Sequence, residues 1–401
     1  MGERNLIVGQ SGGPSPVINS SLAGVIEASC GSAKVDRVFG MLNGIQGLLK
    51  GEIVDLGKED SATIRSLRHT PAMALGSCRF KLTTREQHLA VLEILKKHDI
   101  HYFLYIGGND SMHTTAVIGQ VAFEEGYDLA VIGIPKTIDN DLKYVDHTPG
   151  FGSTARYEAI TCADAVLDTI SLRYVEHIKV IETMGRNAGW VTGASACAGL
   201  IRPELAPDLI YVPEVVFHKD SFLADVQNVY DRKGYCVIVA CEGIKNPDGS
   251  LVAANTQPIN VDAFGHPELG GVGQFLTELI MGELKLKTRM DKPGTFQRTA
   301  RMFISSVDSE EAYEAGRRAV ELAVSGTSGV MVTIEADRSG GGYRSNFGTV
   351  GLEDVAEGER LLPEGFLNAE KNNMTESFLK YVEPLLGEPL PDYAWLKKIP
   401  V

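Results

Sequence analysis

The sequence has little that points to a metal-rich, secreted or membrane-spanning protein. Its 401 residues include six cysteines, and none of these shows the paired spacing of a metal site. We therefore expect reduced thiols and an intracellular protein. No apolar run reaches the length of a membrane span, and the start of the sequence lacks the charged and apolar regions of a secretory signal. Together these absences predict a soluble, cytoplasmic protein.

Positive charge is also scarce. The formal net charge is −14, which argues against nucleic acid or an anionic membrane as a general partner. An anionic small-molecule substrate would need a local cluster of lysine and arginine to offset the net negative charge.

The repeated motifs of solenoid proteins and low-complexity tracts are absent as well.

Glycine, by contrast, is abundant. There are 43 glycines, and 44% of the residues are hydrophobic, enough for sizeable cores. A chain of this length predicts two domains. The glycine excess suits a protein with many tight junctions between strands and loops.

The stretch around which the chain is organised is residues 135–141, Pro-Lys-Thr-Ile-Asp-Asn-Asp. It follows the apolar run of residues 129–134, which predicts a buried parallel strand. In an open α/β sheet, loops at the carboxyl ends of strands line the ligand crevice. A lysine, a hydroxyl and two carboxylates in such a loop suit phosphoryl transfer to an alcohol. Taken alone, the loop is equally consistent with a solvated turn.

The same arrangement recurs along the chain. Apolar runs end in short polar, glycine-containing segments after residues 5–8, 102–106, 178–182, 208–212 and 235–241. Five such junctions in one chain predict a shared crevice. The first, residues 9–16, has the strand, glycine loop and helix order that offers backbone N–H groups to phosphate, although it lacks the lysine of the Walker pattern.

The later part of the chain contains a basic cluster and three local signals. The cluster comprises Arg289, Lys292, Arg298 and Arg301, and for Lys292 and Arg301 we favour a solvated surface role. Residues 308–311 have the form of a capping box that opens a helix. Residues 339–342 predict a turn or mobile loop. One helix is predicted from about Met374.

Six motifs together carry a resemblance to a known family. They are Gly12-Gly13, residues 107–111 (Gly-Gly-Asn-Asp-Ser), residues 135–141, Met184-Gly185-Arg186, Cys241-Glu242-Gly243, and Arg289 with Gln297-Arg298. In this order and over roughly residues 6–334, the chain resembles the phosphofructokinase family. Within the family it is similar to the pyrophosphate-dependent members.

The resemblance implies an α/β fold of two Rossmann-like domains with mainly parallel sheets and a cleft between them. The phosphoryl-donor domain would be residues 1–150 with about 298–356, and the sugar-phosphate domain residues 151–297. Residues 357–401 would form a helical C-terminal extension.

The resemblance also implies roles for individual residues. Catalysis would depend on Asp139 as the base for the sugar 1-hydroxyl, with Lys136, Thr137 and Arg186. The donor would bind Gly12, Gly13, Arg79, Gly108, Asp110 and Lys136. Fructose 6-phosphate would bind Thr137, Ile138, Asp139, Asp141, Met184, Gly185, Arg186, Glu242, Arg289, Thr295 and Arg298.

Two positions indicate the donor. ATP-dependent members resemble Gly-Gly-Asp-Gly and Pro-Gly-Thr-Ile-Asp-Asn-Asp, whereas this chain has Asp110 and Lys136. A carboxylate at Asp110 would repel and crowd the α-phosphate of a nucleotide, and it could hold Mg²⁺ on a diphosphate. The ammonium of Lys136 could stabilise the leaving oxygens of pyrophosphate.

Three alternatives remain beside the pyrophosphate enzyme: an ATP-dependent 6-phosphofructokinase, a non-catalytic metabolite-sensing homologue and, more distantly, a dinucleotide-dependent dehydrogenase. Asp110 and Lys136 argue against the first, and the presence of Asp139 and Arg186 argues against the second. The glycine loop lacks the spacing of the third. The expected partners are pyrophosphate, fructose 6-phosphate and Mg²⁺, in a homo-oligomer that is a dimer or tetramer.

Overall fold

A computed structural model describes residues 4–255, 271–339, 342–356 and 358–397. These residues form two compact units. Unit 1 contains the described residues up to Thr154 and those of Arg298–Arg360. Unit 2 contains the described residues from Ala155 to Gln297 and those from Leu361 onward.

The strands lie close to the apolar runs of the sequence. They are β1 (Arg4–Gln10), β2 (Val35–Met41), β3 (Ile53–Asp55), β4 (Ile100–Gly107), β5 (Ala130–Pro135), β6 (Ile178–Thr183), β7 (Leu209–Tyr211), β8 (Cys236–Cys241), β9 (Thr288–Asp291), β10 (Val330–Asp337) and β11 (Arg344–Gly351). The predicted strand before Lys136 is confirmed, with Pro135 as its last residue.

The helices alternate with the strands over most of the chain. They are α1 (Ile18–Cys30), α2 (Gly44–Leu49), α3 (Ser61–Leu67), α4 (Arg85–Lys97), α5 (Asn109–Glu124), α6 (Phe151–Leu172), α7 (Trp190–Ala194), α8 (Ala198–Ile201), α9 (Lys219–Lys233), α10 (Val272–Glu283), α11 (Ser306–Ser325), α12 (Leu352–Ala356) and α13 (Glu376–Val382). Within the described ranges, no helix is both long and apolar enough to span a membrane.

Unit 1 is built on a sheet whose described strands have the order β11-β10-β5-β4-β1-β2-β3. The central strands pair in parallel, and Gln10 lies opposite Ile106 while Gly107 lies opposite Pro135. Alternate residues of β4 enter two different cores, with Phe103 in one and Leu104 in the other, so helices cover both faces. This register makes β1, β4 and β5 end at the same edge of the sheet.

Unit 2 is built on a smaller parallel sheet of order β7-β8-β6-β9. Thr183 lies opposite Cys241, so the loops after β6 and β8 begin side by side. One hydrophobic core, which includes Val180, Phe222 and Leu276, packs this sheet against the helices of the unit. The predicted class, α/β with mainly parallel sheets, is confirmed.

Three local predictions need correction or limits. Helix α11 begins at Ser306, earlier than expected, because the Ser305 hydroxyl accepts the Asp308 N–H and caps it. The expected helical segment after residue 357 contains α13 and short 3₁₀ turns, since prolines such as Pro384 and Pro389 interrupt it. Of the predicted turn at 339–342, residues 340–341 lie outside the described residues.

Candidate active site

The buried ammonium of Lys136 occupies the edge of the unit 1 sheet where β1, β4 and β5 end. Its Nζ donates a hydrogen bond of 2.8 Å to the Gly13 carbonyl, and the side chain is 4% exposed. A Cβ on Gly12 would lie 3.2 Å from this Nζ. Gly12 also has a φ of +80°, which favours glycine. The first glycine loop therefore wraps closely around the lysine.

Burial and charge oppose one another at Lys136. Removal from water lowers its pKa to about 8, as do the nearby guanidinium groups of Arg298 and Arg79, while Asp139 and Asp141 act in the opposite direction. The structure thus brings together five residues expected to bind donor or substrate: Lys136, Asp139, Asp141, Arg79 and Arg298.

The two carboxylates of the loop after β5 differ in environment. The pKa of Asp141 is raised to about 7, first by burial and then by the neighbouring charges of Asp139 and Glu359. The Thr137 hydroxyl accepts the Asp139 N–H at 3.0 Å and also hydrogen-bonds to Asp141. Thr137 and Asp141 therefore hold Asp139 in a fixed loop.

This loop is anchored to the chain that follows it. Asn140, at a φ of +55°, accepts the Thr148 N–H through its side chain at 3.0 Å, and the Thr148 hydroxyl donates to the Thr137 carbonyl at 2.8 Å. Further along, the buried carboxylate of Asp308 accepts the N–H groups of Gly150 and Ser153, both at 2.8 Å. Ile138 is buried beneath the loop.

The loop after β4 places Asp110 in the first turn of α5. Gly107 is packed so tightly that a Cβ there would lie 2.0 Å from the Ser111 hydroxyl, and Gly108 lies beside the Lys136 carbonyl. Asp110 itself is exposed. Among the described residues, no group of three or more histidine, cysteine or acidic side chains is arranged to hold a metal ion.

Arg298 lies beside Gly13, a residue expected to bind the phosphoryl donor, although the resemblance assigns Arg298 to the sugar phosphate. A Cβ on Gly13 would come within 3.2 Å of its guanidinium, so the absence of a side chain at Gly13 admits the arginine. Arg79 is exposed nearby, close enough to influence the charge of Lys136.

The corresponding loop of unit 2 follows β6 and contains Met184, Gly185 and Arg186. The Met184 N–H donates to the side-chain oxygen of Gln297 at 2.8 Å, and the Gln297 amide donates to the buried Glu158 at 2.7 Å. Gly185 has a φ of +132°, a conformation that L side chains rarely adopt. Burial raises the pKa of Glu158 to about 8.

Glu242, after β8, belongs to a group of charges at the same edge. Burial raises its pKa, whereas the positive charges of Arg186 and Lys292 lower it. Lys292 pairs with the buried Glu182 at 2.7 Å, and Glu182 also accepts the Gly273 N–H at 2.7 Å. The Lys292 side chain is 41% exposed, as expected for a surface residue, and it also forms this ion pair because the end of β9 brings it to this edge of the sheet.

One predicted substrate residue, Arg289, lies apart from this group within unit 2. Arg289 pairs with Glu176, and its register partner in β6 is Lys179, four residues before the end of that strand. That spacing corresponds to about 13 Å along the strand. Thr295 is exposed in a 3₁₀ turn, Gly294–Arg298. Unit 2 by itself thus groups Met184, Gly185, Arg186 and Glu242, but not Arg289.

Sequence reasoning missed several residues that support these loops. They include Gln297, Glu158, Glu182, Asp308 and Glu214, whose carboxylate accepts the Gly189 N–H at 3.0 Å. Gln297 was visible as part of the Gln-Arg pair and Asp308 as part of the predicted capping box, whereas Glu158, Glu182 and Glu214 are single acidic residues in a helix, a strand and a turn. Only the three-dimensional arrangement reveals them.

Chemically, the unit 1 loops offer what phosphate and an attacking hydroxyl require. A glycine loop, a buried cation, two guanidinium groups and a carboxylate converge at one edge of a parallel sheet. In unit 2 an arginine and a carboxylate lie at the ends of adjacent strands. The fold and these groups define an α/β phosphotransferase.

Comparison with known proteins gives the family. The sequence profile described as Phosphofructokinase matches residues 5–323, and the chain belongs to this family. It is 40% identical to the pyrophosphate–fructose 6-phosphate 1-phosphotransferase of Xanthomonas campestris pv. campestris, covering 99% of this chain and 97% of that protein. A sulfofructose kinase of Alkalicoccus urumqiensis is 35% identical, covering 91% of this chain and 92% of that protein.

The fold agrees with a solved structure. The crystal structure of a pyrophosphate-dependent phosphofructokinase from Nitrosospira multiformis superposes with a TM-score of 0.87 at 36% identity. The match covers 99% of this chain and 95% of the other. The likeness therefore includes the residues after 323, which the family profile does not match.

Proposed function

We propose that this chain transfers a phosphoryl group reversibly from pyrophosphate to the 1-hydroxyl of fructose 6-phosphate. The products are fructose 1,6-bisphosphate and phosphate. The observation that carries the proposal is the buried ammonium of Lys136, held against the Gly13 carbonyl beside Asp139. The names of the relatives at about 40% identity support the same reaction.

In the forward direction, Asp139 accepts the proton of the sugar 1-hydroxyl. The hydroxyl oxygen forms a bond to the transferred phosphorus, and the bond from that phosphorus to the bridging oxygen breaks. Negative charge develops on the departing phosphate, and Lys136 stabilises it there. Thr137 and Asp141 hold Asp139 through the contacts of the loop after β5.

The resemblance assigns a set of residues to the sugar phosphate. Met184, Gly185 and Arg186 contact the sugar phosphate and the moving group, and Glu242 accepts hydrogen bonds from sugar hydroxyls. The arginines assigned to the 6-phosphate, Arg289 and Arg298, suit a dianion because guanidinium groups bind phosphate oxygens in pairs. Ile138 and Thr295 complete the set implied by the resemblance.

Mg²⁺ fits the donor half of this proposal. Magnesium usually binds one or two protein carboxylates and takes its other ligands from water and substrate phosphates. Asp110, exposed at the start of α5, supplies one such carboxylate beside the glycine loop residue Gly108. When bound, the ion would neutralise charge on the diphosphate.

The donor assignment depends on Asp110 and Lys136. A nucleotide would bring its α-phosphate to the position that the Asp110 carboxylate occupies, with like-charge repulsion and a steric conflict. Pyrophosphate is shorter and avoids this conflict. The homo-oligomer and the cytoplasmic location stay predictions from the sequence.

Phosphorus-31 NMR of the reaction mixture tests the proposal in both directions. With pyrophosphate, Mg²⁺ and fructose 6-phosphate, the spectrum should show fructose 1,6-bisphosphate and phosphate. With fructose 1,6-bisphosphate and phosphate as starting materials, the spectrum should show pyrophosphate. Because one relative bears the name sulfofructose kinase, sulfofructose is the second acceptor to assay. Absence of pyrophosphate consumption with fructose 6-phosphate would refute the proposal.

A further inference from the structure

The C-terminal segment of unit 2 packs against the end of the loop that contains Arg186. Trp190 follows Arg186 by four residues and is 1% exposed. Its ring lies 5.9 Å from that of Phe366, 6.4 Å from Phe378 and 5.4 Å from Tyr381, measured between ring centroids. Residues 361–386 therefore support α7, the helix that directly follows the loop.

Glu214 links the same loop to this segment through its carboxylate. One oxygen, Oε1, accepts the Gly189 N–H at 3.0 Å and the Leu362 N–H at 2.8 Å. The other oxygen, Oε2, is buried and has no hydrogen-bond partner among the described residues. A single side chain thus ties the third residue after Arg186 to the start of the C-terminal segment.

Close packing leaves this loop little freedom. A Cβ on Gly189 would lie 2.5 Å from the Val212 Cβ and 2.8 Å from Glu214 Oε2. A Cβ on Gly193 would lie 3.0 Å from Met374 Sδ and from Phe378 Cζ. Side chains of the C-terminal segment and the turn after β7 therefore occupy the space around the end of the loop.

The turn after β8 also restrains the loop. A Cβ on Gly243 would lie only 1.8 Å from the Arg186 carbonyl oxygen. The Arg186 backbone consequently touches the residue next to Glu242. A shift of the loop away from Glu214 would alter the distance between these two functional groups.

We propose that Glu214 is a positioning residue for the Arg186 loop, with residues 361–386 as its outer support. Resting on the function proposed above, this assigns a role in sugar-phosphate binding to a segment beyond the matched family profile. Glu214 acts through the Gly189 N–H, so the hydrogen-bond acceptor matters and the negative charge does not.

Three variants test the proposal. Glu214→Ala removes the acceptor, and Glu214→Gln retains an oxygen at the position of Oε1. Glu364→Gln is the control, because Glu364 is an exposed residue of the same segment that pairs with Lys371. We expect KM for fructose 6-phosphate to rise about tenfold in Glu214→Ala, as for a buried N–H group that loses its hydrogen-bond acceptor. KM for pyrophosphate should stay within about twofold of the parent, and the other two variants should resemble the parent.

Trp190 provides a readout that does not depend on turnover. In a Trp395→Phe background, Trp190 is the remaining tryptophan. Its emission should shift in Glu214→Ala and stay unchanged in Glu214→Gln and Glu364→Gln. An inactive parent would refute the proposed function, while this emission would still decide the role of Glu214.

The proposal would be overturned by either of two results. One is a Glu214→Ala protein with parental KM for fructose 6-phosphate and parental Trp190 emission. The other is a fall in kcat together with an equal rise in KM for fructose 6-phosphate and for pyrophosphate, which would indicate a general structural role.

Discussion

The two loops that carry the predicted catalytic groups are held in different ways. The loop after β5 in unit 1 encloses Lys136 and Asp141, whose pKa values are shifted to about 8 and about 7 by burial and neighbouring charge. The loop after β6 in unit 2 exposes more of Arg186 and is fixed through backbone N–H groups, by Gln297 and Glu214. In the unit 1 loop, burial and neighbouring charge shift the pKa values of the functional groups themselves. In the unit 2 loop, neighbouring side chains hold the backbone in position.

This difference predicts how substitutions in the two loops will act. Changes in the loop after β5 should alter the chemical step and its pH dependence, because the affected groups are charged and buried. Changes around the loop after β6 should alter sugar-phosphate affinity. The predictions below test this division in order of expected effect.

The largest effect is expected for Asp139→Asn. The variant should fold normally and lose about 10²–10⁴-fold in kcat, the range typical for loss of a general base. Steady-state kinetics with pyrophosphate measure the loss, and the thermal midpoint controls for folding. Near-parental turnover would show that Asp139 is not the base and would make Asp141 the next candidate.

Lys136→Met should lower kcat with pyrophosphate by roughly 10²–10³-fold, because electrostatic donors of this kind contribute about 2.7–4 kcal/mol in the transition state. In the parent, kcat/KM for pyrophosphate should fall above about pH 8 as the Lys136 ammonium loses its proton. A parental pH profile in Lys136→Met would contradict this role.

The same lysine predicts a signature in stability. Its folded-state pKa, about 8, is below the ordinary value, so the unfolded chain binds more protons above pH 8. The contribution of Lys136 to the free energy of unfolding should therefore rise from about pH 8 towards pH 10. Denaturant titrations of parent and Lys136→Met should diverge over this range, and parallel curves would contradict the assignment.

Gln297→Met should raise KM for fructose 6-phosphate about tenfold, because the Met184 N–H loses its acceptor and the buried Glu158 loses its donor. KM for pyrophosphate should change little. Gln274→Ala is the matched control, since Gln274 is an exposed glutamine whose side-chain amide donates a hydrogen bond to Glu278. Equal changes in both KM values would contradict a specific role of the loop after β6 in sugar-phosphate affinity.

The smallest effect is expected away from both loops. Thr84 caps α4 in a capping box with Gln87. Thr84→Ala should lower the free energy of unfolding by about 0.5–2 kcal/mol and leave both KM values unchanged. A change in either KM would show that the donor loops respond to general destabilisation of unit 1.

The sequence predicted the parts of the molecule that depend on local patterns. The apolar runs located β1, β4, β5, β6 and β8 within a few residues, and their alternation with helices predicted the parallel sheets. The glycine junctions then predicted which loops share an edge. The register of Gly107 with Pro135 confirms this for unit 1.

Features that depend on distant contacts were not predicted. The antiparallel strand β11 pairs with β10, and α6 extends over residues without a strong amphipathic pattern. The ion pair of Lys292 with Glu182 was not predicted, because Glu182 lies more than a hundred residues away in the chain. Glu214 likewise gains its role only through Gly189 and Leu362, which are far apart in the chain.

The most direct test of the account is kcat/KM for pyrophosphate and for ATP, measured in the parent and in Asp110→Gly. The parent should use pyrophosphate with Mg²⁺ and use ATP far less or not at all. Asp110→Gly should gain some ATP use without becoming an efficient ATP enzyme, because Lys136 still occupies space near the phosphates. Adding Lys136→Gly should reduce pyrophosphate use further. Efficient ATP use by the parent would contradict the donor assignment and leave the sugar-phosphate assignment to be judged on its own evidence.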